Sequence, residues 1–176
     1  MNNTAIRDEV KTEEEMENKM IRWIENVAAA DIPIGNHFDC GENSMLIQIA
    51  DPEILGVKGY MPVPKHKFKE IHKFEFLDIG DDSPYCDPLG CSEEQAIQLV
   101  NLLKHAYENR MQVVVHCFAG ICRSGAVVEV GEMMGFVPTE RYRLPNSRVK
   151  RLMMKALNLT YDSTGDIYDQ IVTRIK

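Results

Sequence analysis

The sequence has no apolar run near the ~20 residues that a membrane-spanning helix requires, and its opening Met1-Asn2-Asn3-Thr4 lacks the pattern of a secretory leader. It is also short of positive charge: 20 lysines and arginines stand against 27 aspartates and glutamates, for a net charge of −7 at pH 7. Such a balance argues against nucleic acid as a partner of the whole surface, and any anionic substrate has to be drawn by a local pocket. There are five cysteines, an odd number that suits reduced thiols better than a disulfide framework, so the chain is expected to be cytoplasmic. No repeat, low-complexity tract or Gly/Pro/Ser-rich linker divides the 176 residues, a length that fits a single domain with a sizeable core.

One stretch carries chemistry: His116-Cys117-Phe118-Ala119-Gly120-Ile121-Cys122-Arg123-Ser124. It follows the β-branched run Val113-Val114-Val115 and leads into Gly125-Ala126-Val127-Val128, so it reads as the turn from a buried strand into a helix. A loop that curls before a helix points successive N–H groups into one concavity, and the helix dipole adds positive charge there; a phosphate-sized dianion fits it. Gly120 lets the loop bend. Cys117 sits in that field, so its thiolate is expected to dominate at neutral pH and to act as a nucleophile. Arg123 can hold two phosphate oxygens with its planar fork, Ser124 can stabilise the thiolate, and His116 can tie the loop down through a ring hydrogen bond. The loop interior from Phe118 to Cys122 would wrap a bound phosphate and contains no lysine.

Around this loop the chain alternates. Thr12-Glu13-Glu14-Glu15 has the form of a capping box, and Met16, Met20, Ile21, Ile24, Val27 and Ala28 follow at helical spacing, so a helix of about four turns is expected, with Trp23 in the core. Met45 to Ala50 and Ile71 to Leu77 read as strands, the second with Phe74 and Phe76 on one side. Between them Lys58, Lys65, Lys67, Lys69 and Lys73 form a basic stretch, read as a solvated face, with the entrance to the phosphate site as the alternative. Ser92-Glu93-Glu94-Gln95 caps a helix ending near Asn109, a strand covers 112–116, and a helix runs from about Ser124 to Met134 with Gly135 as its stop. Asn146 can cap a late helix, and Thr164-Gly165-Asp166 opens a last one through Ile175. The order predicts an α/β fold, one domain with a largely parallel central sheet flanked by helices and a site at the strands' carboxyl ends. Within it, residues 1–44 are expected to form an amino-terminal helix and loop, 45–155 the catalytic core, and 156–176 a carboxy-terminal helix.

The His-Cys, five residues, Arg-Ser pattern resembles the signature of the cysteine-dependent protein tyrosine phosphatases, and the size is similar to the compact dual-specificity enzymes of bacteria and phages. Pro145-Asn146, two residues, Val149 and Leu152 resemble the start of a late helix in the same enzymes. The resemblance implies hydrolysis of a phosphomonoester through a phosphocysteine, on a phosphorylated protein or peptide, without metal or cofactor. Phosphotyrosine is the first candidate and phosphoserine or phosphothreonine the second. Expelling the ester oxygen needs an acid, and in that family an aspartate supplies it from the loop after the strand preceding the nucleophile's strand. Asp78, Asp81, Asp82 and Asp87 lie in that region; Asp78 is the first choice because it ends the strand, and Asp82 the second.

Two readings of other classes compete. Cys86 with Cys91 and Cys117 with Cys122 are pairs at a spacing zinc sites allow, which would make a structural domain but leave Gly120 and Arg123 without a task. A phosphate-binding module without turnover keeps the fold and the loop. The same spacing motivates a reversible disulfide of Cys117 with Cys122, Cys86 or Cys91.

Overall fold

The computed structural model describes residues 21–81 and 88–159. Three strands, β1 (Trp23–Ala28), β2 (Ser44–Ala50) and β3 (Glu70–Glu75), come first, and α1 (Glu93–Glu108), β4 (Gln112–Cys117), α2 (Arg123–Met133), β5 (Val137–Pro138) and α3 (Ser147–Ala156) then follow in alternation. The sheet order is β3-β2-β4-β1-β5 and every pairing is parallel. The α/β reading therefore holds.

The period of two along each strand sorts side chains between two faces. Met45, Ile47, Ile49, Val113, Val115 and Cys117 enter one large cluster with Leu99, Leu103, Val127, Val130 and Leu152 of the helices. Val27, Leu46 and Val114 join a smaller cluster with Ile32, Cys40 and Phe68 from the loops. Helices thus cover one face and irregular chain the other. The expected caps form: Ser92 Oγ accepts from the Gln95 N–H at 3.1 Å while the Gln95 side chain accepts from the Ser92 N–H at 3.0 Å. Asn146 Oδ1 accepts from the Val149 N–H at 3.0 Å.

The amino-terminal helix is corrected where it can be seen. Residues expected on its last turns form β1, paired along its length with β4, Ile24 opposite Val113 and Ala28 opposite Cys117. A strand inside a parallel sheet is covered on both faces, so it carries no alternation, and its few apolar residues also satisfy a helical period. Ile24, Glu25, Asn26 and Val27 are all buried, the two polar ones with partners of their own. Trp23, expected in the core, is 36% exposed, and its N–H donates to Gln112 Oε1. Residues 12–20 and the last helix through Ile175 lie outside the described residues. Strand β5 had no signal in the sequence; it is two residues long and pairs with Trp23 and Ile24. No helix among the described residues is long and apolar enough to cross a membrane.

Candidate active site

Four parallel strands deliver their carboxyl ends to one place, the usual site of an open α/β sheet. β4 ends in Cys117, β1 in Ala28, β2 in Ala50 with Asp51 next, and β3 leads through Phe76 to Asp78. Residues 118–122 curl from β4 into α2. Their carbonyls are taken up from outside: Phe118 O by the Ala29 N–H (3.1 Å), Gly120 O by Asn26 Nδ2 (2.8 Å), Ile121 O by the Leu144 N–H (3.2 Å) and Cys122 O by the Asn146 N–H (2.9 Å). Among the described residues no acceptor faces the N–H groups of residues 118–122. A peptide plane whose C=O points out turns its N–H in, so the loop is a ring of unsatisfied donors at the start of a helix. Gly120 makes the curl possible: its φ is +73°, and a Cβ would lie 2.3 Å from Val27 C and from Ala28 N. The loop rests directly on the β1 backbone there.

Arg123 is the first residue of α2 and is only 4% exposed. Its Nη1 donates to Asp51 Oδ1 at 2.7 Å and to Phe76 O at 2.8 Å, which fixes the plane of the guanidinium. Its Nε is buried and has no partner among the described residues. A buried guanidinium N–H without an acceptor is costly, so this edge of the fork suits an anion.

Cys117 is 2% exposed, and its Sγ lies 3.2 Å from Ser124 Oγ, itself fully buried. The His116 ring is fully buried; neither nitrogen meets strict hydrogen-bond geometry, and the ring's polar contact is with the backbone of Cys117 at the start of the loop. Burial pushes its pKa down to about 4, with the Cys117 backbone opposing and the Arg123 charge adding to the shift, so it packs as a neutral ring. Burial pushes the Cys122 thiol up, and neighbouring Asp78 and Cys117 add to the effect. Cys91 is held as a thiol, pushed up to about 12 by burial.

Of the carboxylates, Asp78 is exposed, accepts from Asn146 Nδ2 at 2.7 Å, and interacts with Cys122 of the loop. Asp81 is turned to α3: Arg151 grips it in two bonds of 2.6 and 2.9 Å and holds its carboxyl below the usual range. Asp82, Cys86 and Asp87 lie outside the described residues, and with Cys86 so do the cysteine pairings that include it. Cys40, Cys91, Cys117 and Cys122 are free thiols, and no cluster of three metal-ligating side chains occurs among the described residues.

Sequence reasoning missed three positions. Asp51 carried the same signal as Asp78, a carboxylate directly after a strand, and could have been found by it. Asn26, which donates to Gly120 O and to Tyr142 O, was hidden by the helical reading of its segment. The second task of Asn146, holding Asp78 as well as capping α3, has no sequence signal. In the basic stretch, Lys69 lies at the amino end of β2, where its N–H donates to Ser44 O about 16 Å of strand away from the level of Cys117, whereas the Lys65 N–H donates to Ile32 O, four residues past the carboxyl end of β1. Comparison with protein-family models and with curated proteins finds no match for the chain.

Proposed function

We propose that the chain is a phosphoric monoester hydrolase working through a phosphocysteine, with phosphotyrosine of proteins as its first substrate class and phosphoserine or phosphothreonine as the second, in the cytoplasm. One observation carries the reading: the carbonyls of Phe118, Gly120, Ile121 and Cys122 are all bonded outward, which leaves a ring of amides around the nucleophile. The buried sulfur beside a serine hydroxyl and the unpartnered Arg123 Nε support it.

In this mechanism the Cys117 thiolate attacks phosphorus in line, an S–P bond forms, and the P–O ester bond breaks. The carboxylic acid of Asp78, or of Asp82, gives its proton to the leaving oxygen. Water then attacks the phosphocysteine, passing a proton to the same carboxylate, and inorganic phosphate leaves. The loop amides and the Arg123 fork bear the charge of the equatorial oxygens, and their donors are already oriented before substrate arrives. Asp51 and Phe76 O are positioning groups for Arg123.

The test is hydrolysis of a small aryl phosphate with chelator present. Cys117→Ser is expected to lose at least about 10³-fold in kcat while retaining the fold. An unimpaired Cys117→Ser, or an inert, well-folded wild type, would sink the reading.

A further inference from the structure

The face of the sheet that the helices leave uncovered carries a second feature that the proposed reaction does not use. Residues 65–69 are pinned by the Lys65 N–H to Ile32 O at 3.2 Å and by the Lys69 N–H to Ser44 O at 2.9 Å. Alternation along this run buries Phe68 and leaves Lys65, Lys67 and Lys69 outside. Two adjoining cavities, of about 680 and 440 Å³, meet at His66 and Lys67; Lys69 and Asn109 line the first, Lys65 and His37 the second.

Three properties of this place do not follow from folding. The chain has a net charge of −7, yet three ammonium groups gather here, and none of them makes an ion pair among the described residues. Glu42 and Asp39 are the acids on the cavity walls, so the lysines outnumber them. The walls are aromatic: the His66 ring stands edge-on to His37 at 5.7 Å and to Phe68 at 4.7 Å. Finally, His37 Nδ1 is bonded to Phe38 O at 2.8 Å, whereas its Nε2 is buried and has no partner among the described residues.

We propose that this double cavity is a binding site for a small diphosphate-bearing ligand, a nucleoside diphosphate in size. The three lysines alternate with His66 and Phe68 along the chain, and their flexible stems can converge on adjacent phosphates. A cavity of this volume holds a ligand of nucleotide size, with the half-buried His66 ring as the surface against which a base packs. The site does not depend on the phosphatase reading, since it shares no residue with the Cys117 loop.

The experiment is calorimetric titration of the full chain with inorganic pyrophosphate, ADP and adenosine, in the Cys117→Ser background so that nothing is turned over. Saturable binding of pyrophosphate or ADP but not adenosine is expected. It should persist in Arg123→Ala, weaken at least tenfold in Lys67→Gln/Lys69→Gln, and return in Lys67→Arg/Lys69→Arg. The lysines are exposed, so these variants keep the fold; shifts of the His66 ring resonances on titration give a readout independent of Arg123→Ala. No saturable binding in the millimolar range, or binding indifferent to the lysine pair and without movement at His66, overturns the proposal.

Discussion

The two halves of the candidate site are held by different parts of the chain. On the nucleophile side, backbone fixes backbone: the outward carbonyls of Phe118, Gly120, Ile121 and Cys122 are taken by main-chain N–H groups and by one buried asparagine, and Gly120 leans on β1 without a side chain between. On the carboxylate side each acid hangs on a side chain, Asp51 on Arg123, Asp78 on Asn146 and Asp81 on Arg151. The difference separates two tasks. Stabilising charge on a phosphoryl group needs donors that do not reorganise, whereas a proton carrier has to meet leaving groups of different shape. Substitutions on the first side should be all or nothing, and on the second side graded.

The largest effect is expected at Gly120. In Gly120→Ala the new methyl would meet the Val27 and Ala28 backbone at a φ that side chains rarely adopt, so the loop has to leave β1. A loss of at least about 10³-fold in kcat/KM is expected, because several amides are displaced together. Activity within tenfold of wild type would show that the rigid half is not rigid.

Next come the acids. Asp78→Asn should lower kcat by roughly 10²-fold on an alkyl-like phosphate with a poor leaving group, and much less on a nitrophenyl ester that leaves without help. Asp51→Asn should cost about tenfold, regardless of leaving group, because Phe76 O still holds Arg123 Nη1 and the loss is one of orientation. If Asp51→Asn instead shows the leaving-group dependence and Asp78→Asn does not, the two have to exchange roles. Asp82→Asn belongs in the same series, since Asp82 was the second choice from sequence.

His116 gives a prediction in stability. Its pKa falls from 6.5 in the unfolded chain to about 4 when folded, so between these values the unfolded state binds the extra proton and acid favours unfolding. Stability should therefore drop as pH falls from about 6.5 to about 4, by roughly 3 kcal/mol in all. His116→Leu should flatten that part of the profile in chemical denaturation. An unchanged slope would mean that the ring gains a proton partner in the folded state.

What could be read in advance follows the same division. The loop from His116 to Ser124 was legible because a strand, a glycine and a helix start are local signals, and local hydrogen bonding then decides the shape. The caps at Ser92 and Asn146 were legible for the same reason. β1 was not, because Ile24 and Val27 satisfy a helical period as well as a strand, and only pairing with β4, 89 residues further along the chain, decides between them. The carboxylate side was half legible: strand ends mark Asp78 and Asp51, but which arginine or asparagine each would meet depends on residues far along the chain.

The smallest effect is expected at Asp81, and it decides whether the graded half has been assigned correctly. Arg151 holds the Asp81 carboxyl below its usual range, mainly through hydrogen bonds and then through charge. The pair is more than a third exposed, so solvent screens it and its contribution is about 0.5 kcal/mol. A lowered carboxyl stabilises the fold above the unfolded value of about 4 and stops doing so as pH falls through the folded value. Asp81→Asn should therefore melt slightly earlier than wild type at neutral pH, and the difference should close in strong acid. Its kcat should stay within about twofold, since an acid gripped in two bonds by a guanidinium is a poor proton donor. If Asp81→Asn fell as far as Asp78→Asn on the poor leaving group, Arg151 would have to release Asp81 during turnover, and α3 would then belong to the moving half of the site.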